Sequence, residues 1–398
     1  METGNPREPT ERPAPVIYPS SGTGATPLFE QILRPLIEKE GPLPFPRFME
    51  LALYHEEHGY YSDPERVRVG RGGDFATNIS VGETFGRLLA LRLHEFWIAH
   101  GSPAILHIFE LGPEDGSLAL DILKWAHQFS PDFRASLRYT ACEHSARKRA
   151  TLATRFAQSE EPHLETSDTP RKHRGEFGVV LANEVLDSLP VKLLRFTGGS
   201  WHQRWVGLDQ DGALTWSDLI EDDPHTLAFL GDDFANGYQT ELCGGYPPLF
   251  QDLARLFDRG LFLFIDYGFT HQDYYHPDRT EGTLQTYCAH QAGNDPLDLP
   301  GLRDITTQVN FTAAAASARH AALRLHGFAR QESYLTNLAA PLLRTLPDGP
   351  ASLSFIRQFR TLTHPGFFGS RFHILELTQG ALDPSFRFPC ASQDLAAR

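Results

Sequence analysis

The stretch that most constrains this chain runs from residue 105 to residue 129. An apolar run, 105–109, ends in Glu110, passes through a turn holding Gly112 and Gly116, and gives way to a helical pattern. Leu118, Ile122, Trp125, Ala126 and Phe129 repeat at helical spacing on one face. Strand, glycine turn and helix together open a βαβ nucleotide-binding unit. A second apolar run, 139–142, follows at the distance one crossover helix requires and ends in Glu143. An acid at that strand end can accept hydrogen bonds from both hydroxyls of a ribose.

The turn discriminates between nucleotides. A dinucleotide fingerprint G-x-G-x-x-G would need glycines at 112, 114 and 117, but the last two positions hold Glu114 and Ser117. A nicotinamide dehydrogenase is thereby disfavoured. The E/D-x-G-x-G-x-G loop of S-adenosylmethionine (SAM) enzymes fits better, with Glu110 leading, Gly112 and Gly116 in place, and Glu114 at the middle glycine. A side chain at 114 must enter the space beside the cofactor's amino-acid end or point to solvent, and a glycine-type backbone angle there strains it.

Length and charge narrow the function classes. The chain has 398 residues, 41% of them hydrophobic, enough for one large domain with insertions or for two. A formal net charge of -14 argues against a nucleic-acid partner, which needs a basic face, and suits a cationic substrate. No apolar run reaches transmembrane length, so no membrane insertion is expected. Cys142, Cys243, Cys288 and Cys390 are scattered, which indicates neither a disulfide framework nor a cysteine zinc site; a cytoplasmic location is expected.

Residues 1–25, rich in Pro, Glu, Thr and Ser, are expected to be a disordered tail. With Glu2, Glu8 and Glu11 and no apolar core, they are expected to be neither a signal peptide nor an Arg-rich mitochondrial presequence. Residues 26–100 read as a helical N-terminal region contributing to the site. Thr26-Pro27 starts its first helix, a second covers 45–55, and Ser80-x-x-Glu83 forms a capping box before a third. Residues 101–380 read as the main domain. Its further strands are a weak one near Leu164, then 178–182, 261–266 and a closing strand at 372–377. Between them, 191–196, 201–206 and 213–216 alternate around two turns as an antiparallel meander, part of a cap insertion over the strand ends spanning about 191–245. A long irregular stretch runs from 269 to 310 before an alanine-rich helix, and 381–398 reads as a C-terminal tail. His55-Glu-Glu-His58 has the wrong spacing for a zincin motif, and no metal is expected.

In open α/β sheets, ligands bind at the carboxyl ends of the strands. Those ends carry Glu110, Glu143, Asn183-Glu184 and Asp266-Tyr267, a polar rim that reads as one site. The glycine-dense loop Gly70-Arg-Gly-Gly73 is a further candidate contact.

Several stretches in a fixed order resemble one family, the MidA-type SAM-dependent methyltransferases, whose mitochondrial members assist assembly of respiratory complex I. They are Phe48-Met-Glu-Leu-Ala-Leu-Tyr-His55, His58-Gly-Tyr-Tyr-Ser62, Gly72-Gly-Asp-Phe75, Glu110-x-Gly112, Leu181-Ala-Asn-Glu184 with Asp187-x-Leu-Pro190, Ile265-Asp-Tyr-Gly268, Gly282-Thr-Leu284 and Asp304-Ile-Thr306. The resemblance covers about 28–378. It implies a class I methyltransferase fold, a Rossmann-like seven-stranded mostly parallel sheet with its last strand reversed. It also implies SAM as cofactor and a protein arginine substrate, with a respiratory-complex subunit as a candidate. Glu110, Gly112, Gly116, Glu143, Gly73 and Asp74 form the expected cofactor-binding set. The chain departs from the pattern at Glu114, across 77–84, and at Gln308 and Asn310, where His and Asp are usual.

Arginine methylation sets its own demands. A guanidinium is protonated at any working pH and has only donors, so carboxylates must hold it and one must take a proton as the nitrogen attacks. Glu184 and Asp187 are the expected catalytic acids, with Asn183 orienting them; Asp187 could instead cap only a turn. The alternative reading is a non-catalytic assembly or binding protein that kept the fold, for which Glu114 is the best support.

Overall fold

The computed structural model describes residues 26–64, 77–170, 177–288 and 291–395. The main sheet comprises β1 Leu106–Leu111, β2 Leu137–Cys142, β3 Leu164–Ser167, β4 Phe177–Asn183, β5 Arg259–Phe269, β6 Arg324–Arg330 and β7 Phe372–Gln379. Their spatial order is β3-β2-β1-β4-β5-β7-β6, and the two-residue strand Val309–Asn310 pairs beside the end of β5. Pairing from β3 to β5 is parallel, while β7 runs antiparallel to both its neighbours. This is the class I methyltransferase sheet, with its last strand reversed. The registers Leu111↔Cys142, Leu111↔Ala182 and Asn183↔Ile265 bring four strand ends level, so positions 112, 143, 184 and 266 share one rim.

Helices cover both faces, which is why the central strands are apolar throughout rather than alternating. In chain order the helices are α1 Phe45–Tyr54, which packs off this sheet, and then α2 Thr84–Ala99, α3 Ser117–Phe129, α4 Ala146–Ser159, α5 Tyr246–Leu253, α6 Phe311–His320, α7 Gln331–Thr345 and α8 Pro350–Thr363. The stripe Leu118, Ile122 and Ala126 of α3 packs with Phe85, Leu89 and Phe96 of α2 on one face. Phe250, Leu253 and the alanines of α6 cover the other. A buried ion pair ties the first layer to the sheet. Arg92, 1% exposed, donates through Nε and Nη2 to Glu376 Oε1 and Oε2 of β7, each at 2.8 Å, and the Tyr334 hydroxyl of α7 donates to the same carboxylate.

The antiparallel meander forms at Val191–Thr197, Ser200–Leu208 and Leu214–Ile220. Its position differs from the expected cap. Among the described residues, none of 191–245 lines the cleft at the strand ends. The meander pairs instead with Leu43–Pro44 and Gln239–Cys243 and shares a core with α1, through Val191, Leu193, Phe45, Phe48 and Met49. It therefore braces the helix whose Tyr54 does reach the cleft.

Four other readings change. Ser80 does not cap α2: it sits in a 3₁₀ turn, Ile79–Val81, where its Oγ bonds the N–H and carbonyl of Thr77. Gly82 at φ +127° re-aims the chain, and Gln358 Oε1 of α8 accepts from Thr84 N in its place. The stretch after β5 is not structureless, since Gln285–Cys288 pairs antiparallel with Gln291–Gly293 and Asp304–Thr306. Strand β6 and helices α7 and α8 had no sequence assignment. The C-terminal segment is docked: Gln393 N donates to the Phe328 carbonyl at 2.7 Å, Ser392 Oγ accepts from Phe328 N at 3.0 Å, and Phe386 packs on Phe96. It covers the edge of β6 that would otherwise present unpaired backbone groups. The segment 1–25 lies outside the described residues.

Candidate active site

A cleft of about 2240 Å³ opens at the carboxyl ends of the strands. One end is built by the β1–α3 turn. Gly112 adopts φ +61°, its N–H donates to the Cys142 carbonyl at 3.1 Å, and it presents no side chain to the cleft. Gly116 at φ +78° caps α3; a Cβ there would meet the Phe156 ring at 2.5 Å, so only glycine lets the turn close against α4. Neither Gly116 nor Glu110 lines the cleft. Glu110 lies buried behind it and accepts from the Tyr139 hydroxyl at 2.9 Å; burial pushes its pKa up to about 7, against that hydrogen bond. These two expected cofactor contacts shape the turn from behind.

Glu143, 5% exposed, stands at the end of β2 on the cleft wall. Its carboxylate accepts from Ser145 N at 2.9 Å and from Lys148 Nζ at 3.0 Å, with His144 Nδ1 at 3.3 Å. Burial alone would raise its pKa, but the bonds from His144, Lys148 and Ser145 bring it down to about 2. Glu114 holds φ +48°, the left-handed backbone that the glycine position implied. Its carboxylate accepts from Lys148 Nζ at 3.2 Å, a partner the sequence reading did not foresee. Gly73 and Asp74 lie outside the described residues.

The other end is acidic. Glu184 follows β4 at φ +55°, an uncommon angle for a side-chain-bearing residue and one of the strained positions that cluster at sites. Asn183 Nδ2 donates to Glu184 Oε1 at 3.1 Å, and Asn183 is itself held by Asn78 Nδ2 at 3.4 Å. Asp187 is buried and accepts from the Tyr267 hydroxyl through Oδ2, while its Oδ1 has no hydrogen-bond partner among the described residues. Behind both, Asp266 accepts from Val185, Leu186 and Asp187 N–H through one oxygen and from Tyr267 N through the other, fixing the loop that carries the pair. Burial, then the Asp187 charge, push Glu184 up to about 8; burial pushes Asp187 up to about 6. Asp266 is raised by burial and by both neighbours. Three acids so buried and so close do not all ionise without a counter-charge.

Side chains that sequence reasoning missed complete the wall. Tyr54 and Tyr61 stack with ring centroids 5.5 Å apart; the Tyr54 hydroxyl donates to the Ser188 carbonyl at 3.0 Å and the Tyr61 hydroxyl to Asp304 Oδ1 at 2.8 Å. Both tyrosines, Asp304 and Gln308 line the cleft. Asn310 caps α6, its Oδ1 accepting from Ala313 N at 3.0 Å. His55 and His58 stack on each other away from this wall, and no cluster of metal-ligating side chains occurs among the described residues.

The sheet order and the loaded strand ends define a SAM-dependent methyltransferase. Residues 88–329 match the family model described as "Putative S-adenosyl-L-methionine-dependent methyltransferase", and the chain belongs to that family. A Burkholderia thailandensis protein crystallised with S-adenosyl-homocysteine superposes with a TM-score of 0.78 at 30% identity, covering 88% of this chain and 92% of that one. A mitochondrial protein of Drosophila melanogaster, the protein arginine methyltransferase NDUFAF7 homolog, is 28% identical over 96% of this chain and 91% of its own length. The human protein arginine methyltransferase NDUFAF7 is 24% identical over 95% of this chain and 86% of its own. The fly and human relatives are mitochondrial, which overturns the cytoplasmic expectation. That expectation rested on scattered free thiols, which require only a reducing compartment, and on an acid-bearing first 25 residues, which lie outside the described residues.

Proposed function

We propose that this methyltransferase acts on an arginine guanidinium of a protein substrate. The observation that carries the reading is the pair of buried acids on the cleft wall, Glu184 and Asp187, the latter with an Oδ1 that has no hydrogen-bond partner among the described residues. A neutral or anionic nucleophile would not offset three crowded acids, whereas a guanidinium offers five donors and a fixed positive charge. The arginine methyltransferase names of the fly and human relatives support the same nucleophile, and the family resemblance makes a respiratory-complex subunit the substrate to try first.

The residues present fit SAM. Gly112 leaves the turn open to the cleft, and Glu143 is an ionised acceptor at the strand end where ribose is read. When bound, SAM supplies an electrophilic methyl group on a sulfonium. Glu184 and Asp187 hold the guanidinium in a fork, and its charge lowers the pKa of both, so that each ionises around it. Asn183 fixes Glu184 through their hydrogen bond, and Glu184 accepts the proton as the nitrogen attacks. The stacked Tyr54 and Tyr61 rings offer a face to the cation.

The test uses the purified chain, methyl-labelled SAM and a peptide array in which each arginine is paired with a lysine counterpart. Label on arginine nitrogen, located by mass spectrometry, is the expected outcome. Label on lysine would reassign the nucleophile, and absence of SAM binding at millimolar concentration would favour a non-catalytic assembly protein.

A further inference from the structure

Lys148 stands where a helix disfavours it. Ser145 caps α4, so Lys148 lies in the first turn, beside the partial positive charge of the helix end. Its side chain is only 7% exposed, and a lysine so buried needs pairing. Here the pairing is double. The ammonium is 3.0 Å from Glu143 Oε2 and 3.2 Å from Glu114 Oε2. Glu114 occupies the loop position that the SAM motif reserves for glycine, and it carries the left-handed backbone angle of that position. One ammonium thus lies between two carboxylates at the cleft wall, where their mutual repulsion is weakly screened.

We propose that Lys148 is a positioning residue for the cofactor: by bridging Glu114 to Glu143 it fixes the ribose acid and draws the loop carboxylate toward α4, making a glutamate compatible with SAM binding at a glycine position. The proposal rests on the reading of Glu143 as the ribose acid. It explains why two departures from an ordinary loop and helix start, an acid at 114 and a buried base at 148, occur together in one chain. The other groups around Glu143 are His144 at 3.3 Å, Arg149 on the Glu143 carbonyl at 2.7 Å, and Tyr54, whose ring packs edge-on against His144. None of these reaches Glu114 as Lys148 does.

The test is a double-mutant cycle read by calorimetric binding of S-adenosyl-homocysteine to the full chain. Lys148→Met should weaken binding about tenfold or more, while Glu114→Gly in the wild-type background should change it by less than about threefold. Glu114→Gly added to Lys148→Met should restore most of the loss, because Glu143 then has no loop carboxylate beside it. The pH profile separates positioning from packing. With the ammonium removed, Glu143 takes up a proton more readily, so Lys148→Met should lose affinity between about pH 7 and pH 5 while the wild type holds. Equal effects of Glu114→Gly in both backgrounds, or an unchanged pH profile, would overturn the proposal. Should Lys148→Met not fold, Lys148→Arg keeps the charge and must retain affinity within about threefold; a larger loss refutes the bridge. A Glu143→Ala control distinguishes the two readings: unchanged affinity there defeats the ribose assignment itself, whereas a loss there with an additive cycle defeats only the role of Lys148.

Discussion

Glu184→Gln should make the protein more stable and much less active. The acid sits in a crowded cluster that raises its pKa from 4.5 to about 8. Because the folded value lies above the unfolded one, the linked stability is fully present below about pH 4.5 and is lost progressively as the pH climbs to about 8. At pH 7 the unfolded chain carries an ionised Glu184 and the folded one a protonated Glu184. The gap between 7 and 4.5 at about 1.36 kcal/mol per pH unit puts the cost near 3 kcal/mol as a ceiling. Glutamine keeps the oxygen that accepts from Asn183 and removes the ionisable group, so about 1–3 kcal/mol should be recovered at pH 7 and almost none near pH 4.5. Urea unfolding of both proteins across that pH range measures the difference directly. Methyl transfer should fall by about two orders of magnitude or more with S-adenosyl-homocysteine binding nearly unchanged, the pattern for loss of a proton-accepting group. A stability difference independent of pH would refute the strained-acid argument. Wild-type turnover in the variant would remove Glu184 from the chemistry and leave Asp187 to test next.

Glu143→Ala should weaken SAM and S-adenosyl-homocysteine binding by roughly 1.5–3 kcal/mol, the scale of hydrogen bonds to a charged group, at a wild-type stoichiometry of about one per chain by calorimetry. Gly116→Ala should destabilise the fold by about 1–3 kcal/mol in thermal unfolding and shift the turn, since it combines a left-handed angle with a clash against Phe156; an unchanged Tm would contradict the geometry. Arg92→Met leaves Glu376 uncompensated in the core and should cost about 3–5 kcal/mol, whereas pairing it with Glu376→Leu should recover most of that loss.

The sequence by itself determined six of the seven strands of the main sheet and the acids at their ends. Apolar runs buried on both faces announce parallel strands wherever they occur, and a turn holding Gly112 and Gly116 between strand and helix admits few architectures. The acids at 143, 184 and 266 were legible because each directly follows or ends such a run, whereas Asp187, four residues beyond the end of β4, came only with the family motif. Glu110 and Gly116 were legible as parts of the turn, but only the packing of Tyr139 and Phe156 against them shows that they lie behind the cleft. What tertiary structure decided were partnerships between residues distant in the chain. Lys148 pairs with Glu114 across the β1–α3 turn and α4, Arg92 pairs with Glu376 across 284 positions, and Tyr54 reaches the cleft because the meander braces its helix. Strand β6 escaped notice because its register shifts between Leu325 and Gly327, which leaves Leu325 exposed and breaks the alternation, and the edge it presents is covered by the chain's last described residues. Periodicity reports which face of an element is buried; it carries no information about which charge on another element that face will meet.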